Sequence, residues 1–256
     1  MDNASMNSVK TLAFCLSTPS LRTRVHFFPS AGVTSGPYAI ACTLTLFGKG
    51  VEKRSVVLDG GRLGQPDGVR LEDAFPSLRG EASGLFGLEV ELSCSQGRVN
   101  LLSSQAAVEL VSPSASVQYA VAPFKHRESE PQPMGDHEVR ATEGGAGACA
   151  IALQESHVSS SLVMVNSGTE TIKPELFRVA EKREVPIHVG TLAPESTVEV
   201  PLDEALFRDA PPHECIFGLL RAERLFIGGH TRRSDTEYYL VYREPETKRL
   251  VSVVAL

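Results

Sequence analysis

The stretch "VRLEDAF", residues 69–75, decides the fold, because a similar stretch, "VEVPLDEAL", occurs at residues 198–206. An offset of 131 residues superposes residues 71–74, which begin with Leu71, on residues 202–205, which begin with Leu202. Self-similarity at a fixed spacing is typical of a chain that contains two copies of one fold. The offset also maps one half of this 256-residue chain onto the other.

A second match follows each of these stretches at the same distance. "LFGLEVEL" follows the first and "IFGLLRAERL" follows the second, and Phe86 and Phe217 each lie 15 residues after the leucine that opens the match. The same offset brings His26 onto His157, which suggests either a paired site or a coincidence among seven histidines. Two matches with an equal gap predict an internal duplication.

Within each half the apolar residues follow the short spacing of β-strands. "YAIACTLTLFGKG", "RSVVLDGG", "SSLVMVNSGTE" and "EYYLVYRE" are rich in β-branched or aromatic residues and are separated by turn residues. "LEDAF" and "PLDEALF" are the two stretches that favour a helical turn. Long segments with helical spacing, which a parallel sheet needs for its crossovers, are missing. We predict an all-β protein of two tandem, internally duplicated antiparallel β-sandwich domains.

The predicted boundary lies in a polar segment at the middle of the chain. Residues 123–147 combine prolines, glycines and charged side chains with few apolar ones, which is the composition of a solvated linker. We therefore assign residues 1–124 to an N-terminal sandwich, 125–143 to a linker and 144–256 to a C-terminal sandwich.

Composition and charge exclude several classes of protein. With 42% hydrophobic and 22% charged residues the chain has the composition of an ordinary globular protein. A net charge of -6 argues against nucleic-acid binding driven by phosphate neutralisation. The five cysteines are odd in number, widely spaced and without a CxxC pair, so we expect reduced and mostly buried thiols.

The N-terminus has a faint likeness to a bacterial lipoprotein signal at "LAFC", residues 12–15. Its apolar core is shorter than a signal peptide requires, and Phe14 stands where cleavage needs a small side chain. No stretch approaches the roughly 18 apolar residues of a membrane-spanning helix. We expect a cytoplasmic protein that does not bind membranes, with export as the alternative.

One candidate site stands out in "LFIGGHTRRSD", residues 225–235. In a binding interpretation, His230, Arg232, Arg233 and Asp235 lie at a strand end, where the cationic pair could receive a carboxylate or phosphate. Two preceding glycines would let a ligand approach the backbone. In the alternative interpretation, a strand ends here and its polar side chains are exposed to solvent.

The motifs of known catalytic and metal sites are missing or misplaced. No G-x-S-x-G elbow is present, and "GAGACA" at 145–150 follows a polar segment instead of the strand that a dinucleotide site requires. His213, Glu214 and Cys215 are consecutive, so in an extended chain they point to opposite faces and cannot easily surround one ion. We predict no catalytic residues, no metal and no cofactor.

"SSLVMVNSGTE", "IGGHTRRSD" and "YYLVY", within residues 159–245, resemble the soluble sensory rhodopsin transducer family of small bacterial β-sandwich proteins. The triplet His230-Thr231-Arg232 carries part of this resemblance. In the N-terminal half, Val99-Asn100-Leu101 replaces that triplet and departs from the pattern. The resemblance implies a compact sandwich that associates with itself or with a partner, and implies no established catalysis.

These observations favour a non-enzymatic interaction or small-ligand-binding protein, such as a signalling adaptor, with a small anion as the candidate ligand. The alternative is a hydrolase or isomerase whose dispersed residues converge around His230. We also expect self-association or a protein partner, because sandwiches expose edge strands and "EYYLVYRE" carries three tyrosines.

Overall fold

The fold of the N-terminal half consists of strands in two antiparallel sheets. The computed structural model describes residues 8–28, 40–58, 63, 65–79, 84–94, 105–121, 125–126, 148–180, 183–187, 190–202, 204–207, 212–215, 218–228 and 235–256. The N-terminal elements are β1 (Ser8–Ser17), β2 (Arg22–Phe28), β3 (Ile40–Gly48), β4 (Val51–Leu58), β5 (Val69–Arg70), α1 (Leu71–Ala74), a 3₁₀ helix (Pro76–Leu78), β6 (Gly84–Cys94), β7 (Gln105–Val111), β8 (Ser116–Ala120) and β9 (Lys125–His126). Sheet 1 has the order β4-β3-β6-β1-β9 and sheet 2 the order β5-β2-β7-β8.

The C-terminal half has the same plan. Its elements are β10 (Ala148–Gln154), β11 (Ser159–Asn166), β12 (Glu175–Ala180), β13 (Arg183–Ile187), β14 (Ser196–Leu202), α2 (Glu204–Phe207), β15 (Pro212–Cys215), β16 (Gly218–Gly228), β17 (Thr236–Arg243) and β18 (Leu250–Ala255). Sheet 3 has the order β10-β16-β12-β13, with β15 beside β16, and sheet 4 has the order β14-β11-β17-β18. The prediction of an all-β protein is confirmed, and both helical turns form where the sequence favoured them.

One hydrogen-bonded motif recurs in both halves and fixes their correspondence. Thr23 Oγ1 donates to the Leu16 carbonyl at 2.7 Å and lies 3.3 Å from its amide nitrogen. Ser160 makes the same pair of contacts with Leu153, at 2.7 and 2.8 Å. Both residues of the second motif follow those of the first by 137 positions. The shared strand order agrees with the predicted duplication, which as a statement about ancestry stays a prediction.

The offset of 131 holds in one part of the fold and not in the rest. Leu71, the first residue of α1, directly follows the β5 pairing of Arg70 with Arg24, and Leu202 pairs with Ser160 at the end of β14, so the two leucines have similar places beside β2 and β11. At β2 and β11, however, the offset is 137, so His26 corresponds to Val163. His157 lies instead in the exposed turn between β10 and β11, so the superposition of the two histidines is wrong. Phe217 lies outside the described residues.

The two halves share apolar packing. Buried residues of sheet 4 belong to the same cluster as the core of sheets 1 and 2: Val163, Val165, Tyr239, Val241, Leu250 and Val253. Alternate residues of sheet 4, including Leu162, Met164 and Leu240, turn the other way and pack with residues of sheet 3. Sheet 4 therefore has two buried faces, one toward each half of the chain. The predicted boundary at 125–143 begins in β9, which pairs with β1, and its residues from 127 on lie outside the described ones.

Three aromatic rings join the halves at the edge of β1. Phe14, Tyr119 and Tyr239 lie with ring centroids 5.0–5.4 Å apart, and all three are fully or almost fully buried. Tyr119 Oη donates to the Phe14 carbonyl and Tyr239 Oη to the Leu12 carbonyl, each at 2.5 Å. Two tyrosines thus satisfy carbonyls of β1 that a neighbouring strand would otherwise take.

Tyr239→Phe is expected to lower the free energy of unfolding by about 1–3 kcal/mol, because it leaves the Leu12 carbonyl buried without its donor. Tyr242→Phe is the matched control. Its hydroxyl donates to the Ile151 carbonyl at 2.6 Å in an exposed bond, where water can replace it. Urea unfolding followed by circular dichroism measures both, and equal losses would contradict a special role for Tyr239.

The two cysteines whose side chains the structure describes are free and buried, as predicted. Burial, with a smaller contribution from the charge of Glu91, raises the pKa of the Cys42 thiol to about 12. Burial also raises the pKa of the Cys15 thiol well above its ordinary value. Neither thiol is available as a thiolate nucleophile at neutral pH.

Candidate functional site: an arginine cleft on sheet 2

The predicted site in residues 225–235 is only partly described. His230, Arg232 and Arg233 lie outside the described residues, and Asp235 lies directly before β17. The Asp235 carbonyl accepts a hydrogen bond from the Ser167 amide at 2.9 Å, and its carboxylate lies beside Gly168. Asp235 is therefore placed against the turn that follows β11.

That turn is held by a buried asparagine. The Asn166 side chain donates to the carbonyls of Glu170 and Ala193 at 2.8 and 2.9 Å and accepts from the Gly168 amide at 2.9 Å. A Cβ added to Gly168 would lie 2.2 Å from Asp235 Oδ2, so the Asp235 carboxylate would have to move to admit a larger residue. These contacts give Asp235 a neighbourhood typical of a structural turn.

A different group of residues forms a cleft on the outer face of sheet 2. The cleft has a volume of about 390 Å³. Seven residues line it, and we call it the arginine cleft: Arg22, Arg24, Arg70, Glu72, Asp73, Arg79 and Val111. Its volume falls within the range of small-molecule sites, toward the lower end.

Strand alternation brings the arginines to this face. In β2, Thr23, Val25 and Phe27 are buried, so Arg22 and Arg24 lie on the opposite, outer face. Arg70 is exposed at the end of β5, directly opposite Arg24 in the antiparallel register. Arg79 follows the 3₁₀ helix and reaches back to the cleft.

Two ion pairs fix one wall of the cleft. Arg22 Nε lies 3.3 Å from Glu72 Oε1, and Arg79 Nη2 lies 2.7 Å from Asp73 Oδ1. Arg79 Nε also donates to the Glu72 carbonyl at 2.8 Å. Both carboxylates of α1 therefore already have arginine partners.

The other two arginines are differently placed. The guanidinium group of Arg70 makes no ion pair or hydrogen bond with any residue in the described ranges. The nearest carboxylate to Arg24 is Glu109, at 3.7 Å, which is too long for a hydrogen bond. Like charges directly opposite each other across two strands are destabilising. Arg24 therefore has one ion-pair partner and no hydrogen-bond acceptor, and Arg70, directly opposite it, has neither among the described residues.

Glu109 forms a hydrogen bond with a different residue on the same face of sheet 2. His26 Nε2 lies 3.0 Å from Glu109 Oε2. Burial by itself raises the pKa of Glu109, but hydrogen bonds from His26 and Ser116 and the charges of His26 and Arg24 outweigh burial and lower it. Glu109 therefore stays ionised at neutral pH, and its nearer partner is His26, not Arg24.

Sequence reasoning missed the arginine cleft. The signal available was the alternation in "RTRVHFF", residues 22–28, which places Arg22 and Arg24 on the polar face of a strand. Nothing in the sequence showed that Arg70 pairs opposite Arg24.

The described residues contain neither a metal-binding cluster nor a membrane-spanning helix. Within the described ranges no three His, Cys, Asp or Glu side chains are grouped as a metal ion would need. None of the helices in those ranges has the length and apolar character to span a membrane.

No family model matches the chain, and no curated protein is significantly similar to it.

Proposed function

We propose that the protein is a non-enzymatic binding module whose arginine cleft holds a small anion. The observation that supports this proposal is the pairing of Arg24 with Arg70 across β2 and β5, with no hydrogen-bond acceptor for either guanidinium group among the described residues. A bound anion would remove the repulsion between the two arginines and satisfy their N–H donors.

The charge of the whole chain gives this cleft its significance. The net charge of -6 repels anions in general, so a local cluster of four arginines is needed to select one. Their planar forks suit the oxygens of a carboxylate or a phosphate. The remaining predictions stay proposals: the resemblance to sensory rhodopsin transducers, self-association, a cytoplasmic location and an enzyme site around His230.

Arg70→Gln is expected to weaken anion binding at the cleft, because it removes the guanidinium group that has no competing carboxylate. Isothermal titration of the full chain with glutarate, citrate and inorganic phosphate at low salt measures this effect. Binding that the wild type shows should weaken at least tenfold in the variant.

Arg54→Gln is the matched control for this substitution. Arg54 is exposed on β4 and paired with Glu52 at 3.1 Å, outside the cleft. Anion binding should be unchanged in this variant. Equal losses in the two variants would show that general positive charge, and not the cleft, attracts the anion. If none of the three anions binds, the proposed function is refuted.

A further inference from the structure

The arginine cleft carries an unbalanced charge that indicates the charge of its ligand. Its lining has four arginines and two carboxylates, so its formal charge is +2 at neutral pH. Each carboxylate of α1 is already paired with one arginine, Glu72 with Arg22 and Asp73 with Arg79. Arg24 has Glu109, outside the lining and 3.7 Å away, as its ion-pair partner, and Arg70 has no such partner among the described residues. The two arginines are neighbours across the strand pair.

These two guanidinium groups have more donors than a single carboxylate can satisfy. A guanidinium fork binds two oxygens of one anion side by side. A carboxylate has two oxygens and therefore matches one fork. The terminal phosphoryl group of a monoester, or inorganic phosphate, has at least three peripheral oxygens and can accept hydrogen bonds from two forks at once.

Glu109 does not compete for these donors. Its separation of 3.7 Å from Arg24 exceeds hydrogen-bond length, and its hydrogen bond is made with His26. Its negative charge helps to hold Arg24 on the outer face without occupying its N–H groups. We infer, resting on the proposed function, that the arginine cleft recognises a phosphoryl dianion, held between Arg24 and Arg70.

The test is a titration of the full chain with a panel of anions at pH 7.5 and low salt. Inorganic phosphate and phosphoserine offer the dianion from two sources. Glutarate carries two carboxylates, and dimethyl phosphate is a phosphodiester with a single charge. At least one dianionic phosphate should bind at least tenfold more tightly than glutarate and dimethyl phosphate. The tighter of inorganic phosphate and phosphoserine identifies the source as the free ion or a monoester.

Variants and pH supply two further readouts. Arg24→Gln and Arg70→Gln should each weaken phosphate binding at least tenfold, while Arg54→Gln leaves it unchanged. Because a phosphomonoester takes up a proton near pH 6, its affinity should fall between pH 7.5 and pH 5. Circular dichroism melts establish that each variant is folded.

The outcomes separate this inference from the proposed function. If glutarate binds as tightly as both phosphates, the inference that the cleft recognises a phosphoryl group is overturned. The proposed anion-binding function would still stand. Phosphate binding that survives both arginine substitutions would overturn it as well. If no anion binds at all, both the inference and the proposed function fail.

Discussion

Phe14→Ala is expected to lower the free energy of unfolding by about 3–5 kcal/mol, because it empties a fully enclosed site in the shared core. The ring stacks on Tyr119 at 5.0 Å and meets the edge of Tyr239 at 5.3 Å, so its removal takes away contacts to both halves of the chain. Urea unfolding of the full chain measures the loss.

Phe28→Ala is the control for this substitution. Phe28 lies at the end of β2 and is 52% exposed, so its truncation should cost less than about 1 kcal/mol. If Phe14→Ala also costs less than that, the aromatic contacts between the halves do not contribute to stability in the way proposed.

Gly87→Ala is expected to cost about 1–3 kcal/mol or more by overpacking. A Cβ at Gly87 would lie 2.2 Å from Cε2 of the Phe47 ring and 2.8 Å from Thr197 Oγ1. Phe47 is buried in sheet 1, and Thr197 belongs to β14 of sheet 4. The substitution therefore crowds a position where β6 of the N-terminal half packs against β14 of the C-terminal half. Urea unfolding again measures the change.

A second substitution tests whether steric crowding is the cause. Phe47→Leu removes the ring atoms that the new methyl group would meet. Gly87→Ala should then cost less in the Phe47→Leu background than in the wild type. Strictly additive losses would contradict crowding against Phe47.

The strand character of the chain could be predicted from its sequence, because alternation of apolar residues reports directly which face of a strand is buried. The match of Leu71 with Leu202 also corresponds to similar places in the fold, one directly after β5 and the other at the end of β14. The constant offset does not extend further, because loops differ in length between the halves while strand registers are preserved. His26 and His157 coincided by offset and not by position.

The arginine cleft could not be predicted in the same way. It depends on Arg24 and Arg70 lying opposite each other, which is a property of strand pairing between residues far apart in the sequence. Asp235 was identified, but its contacts with the turn after β11 require the fold. The sequence indicates which side chains face water, and the register decides which of them meet.

The packing of sheet 4 against the N-terminal half is heterologous, and such contacts can in principle be repeated to build an open-ended filament. The corresponding surface at the other end of the chain is the outer face of sheet 2. There His26 stands where sheet 4 has Val163, and Glu109 stands where it has Val241. A partly buried, hydrogen-bonded polar pair is a poor substitute for two valines against an apolar surface. The polar face that borders the arginine cleft therefore lacks the apolar surface that sheet 4 presents to the N-terminal half.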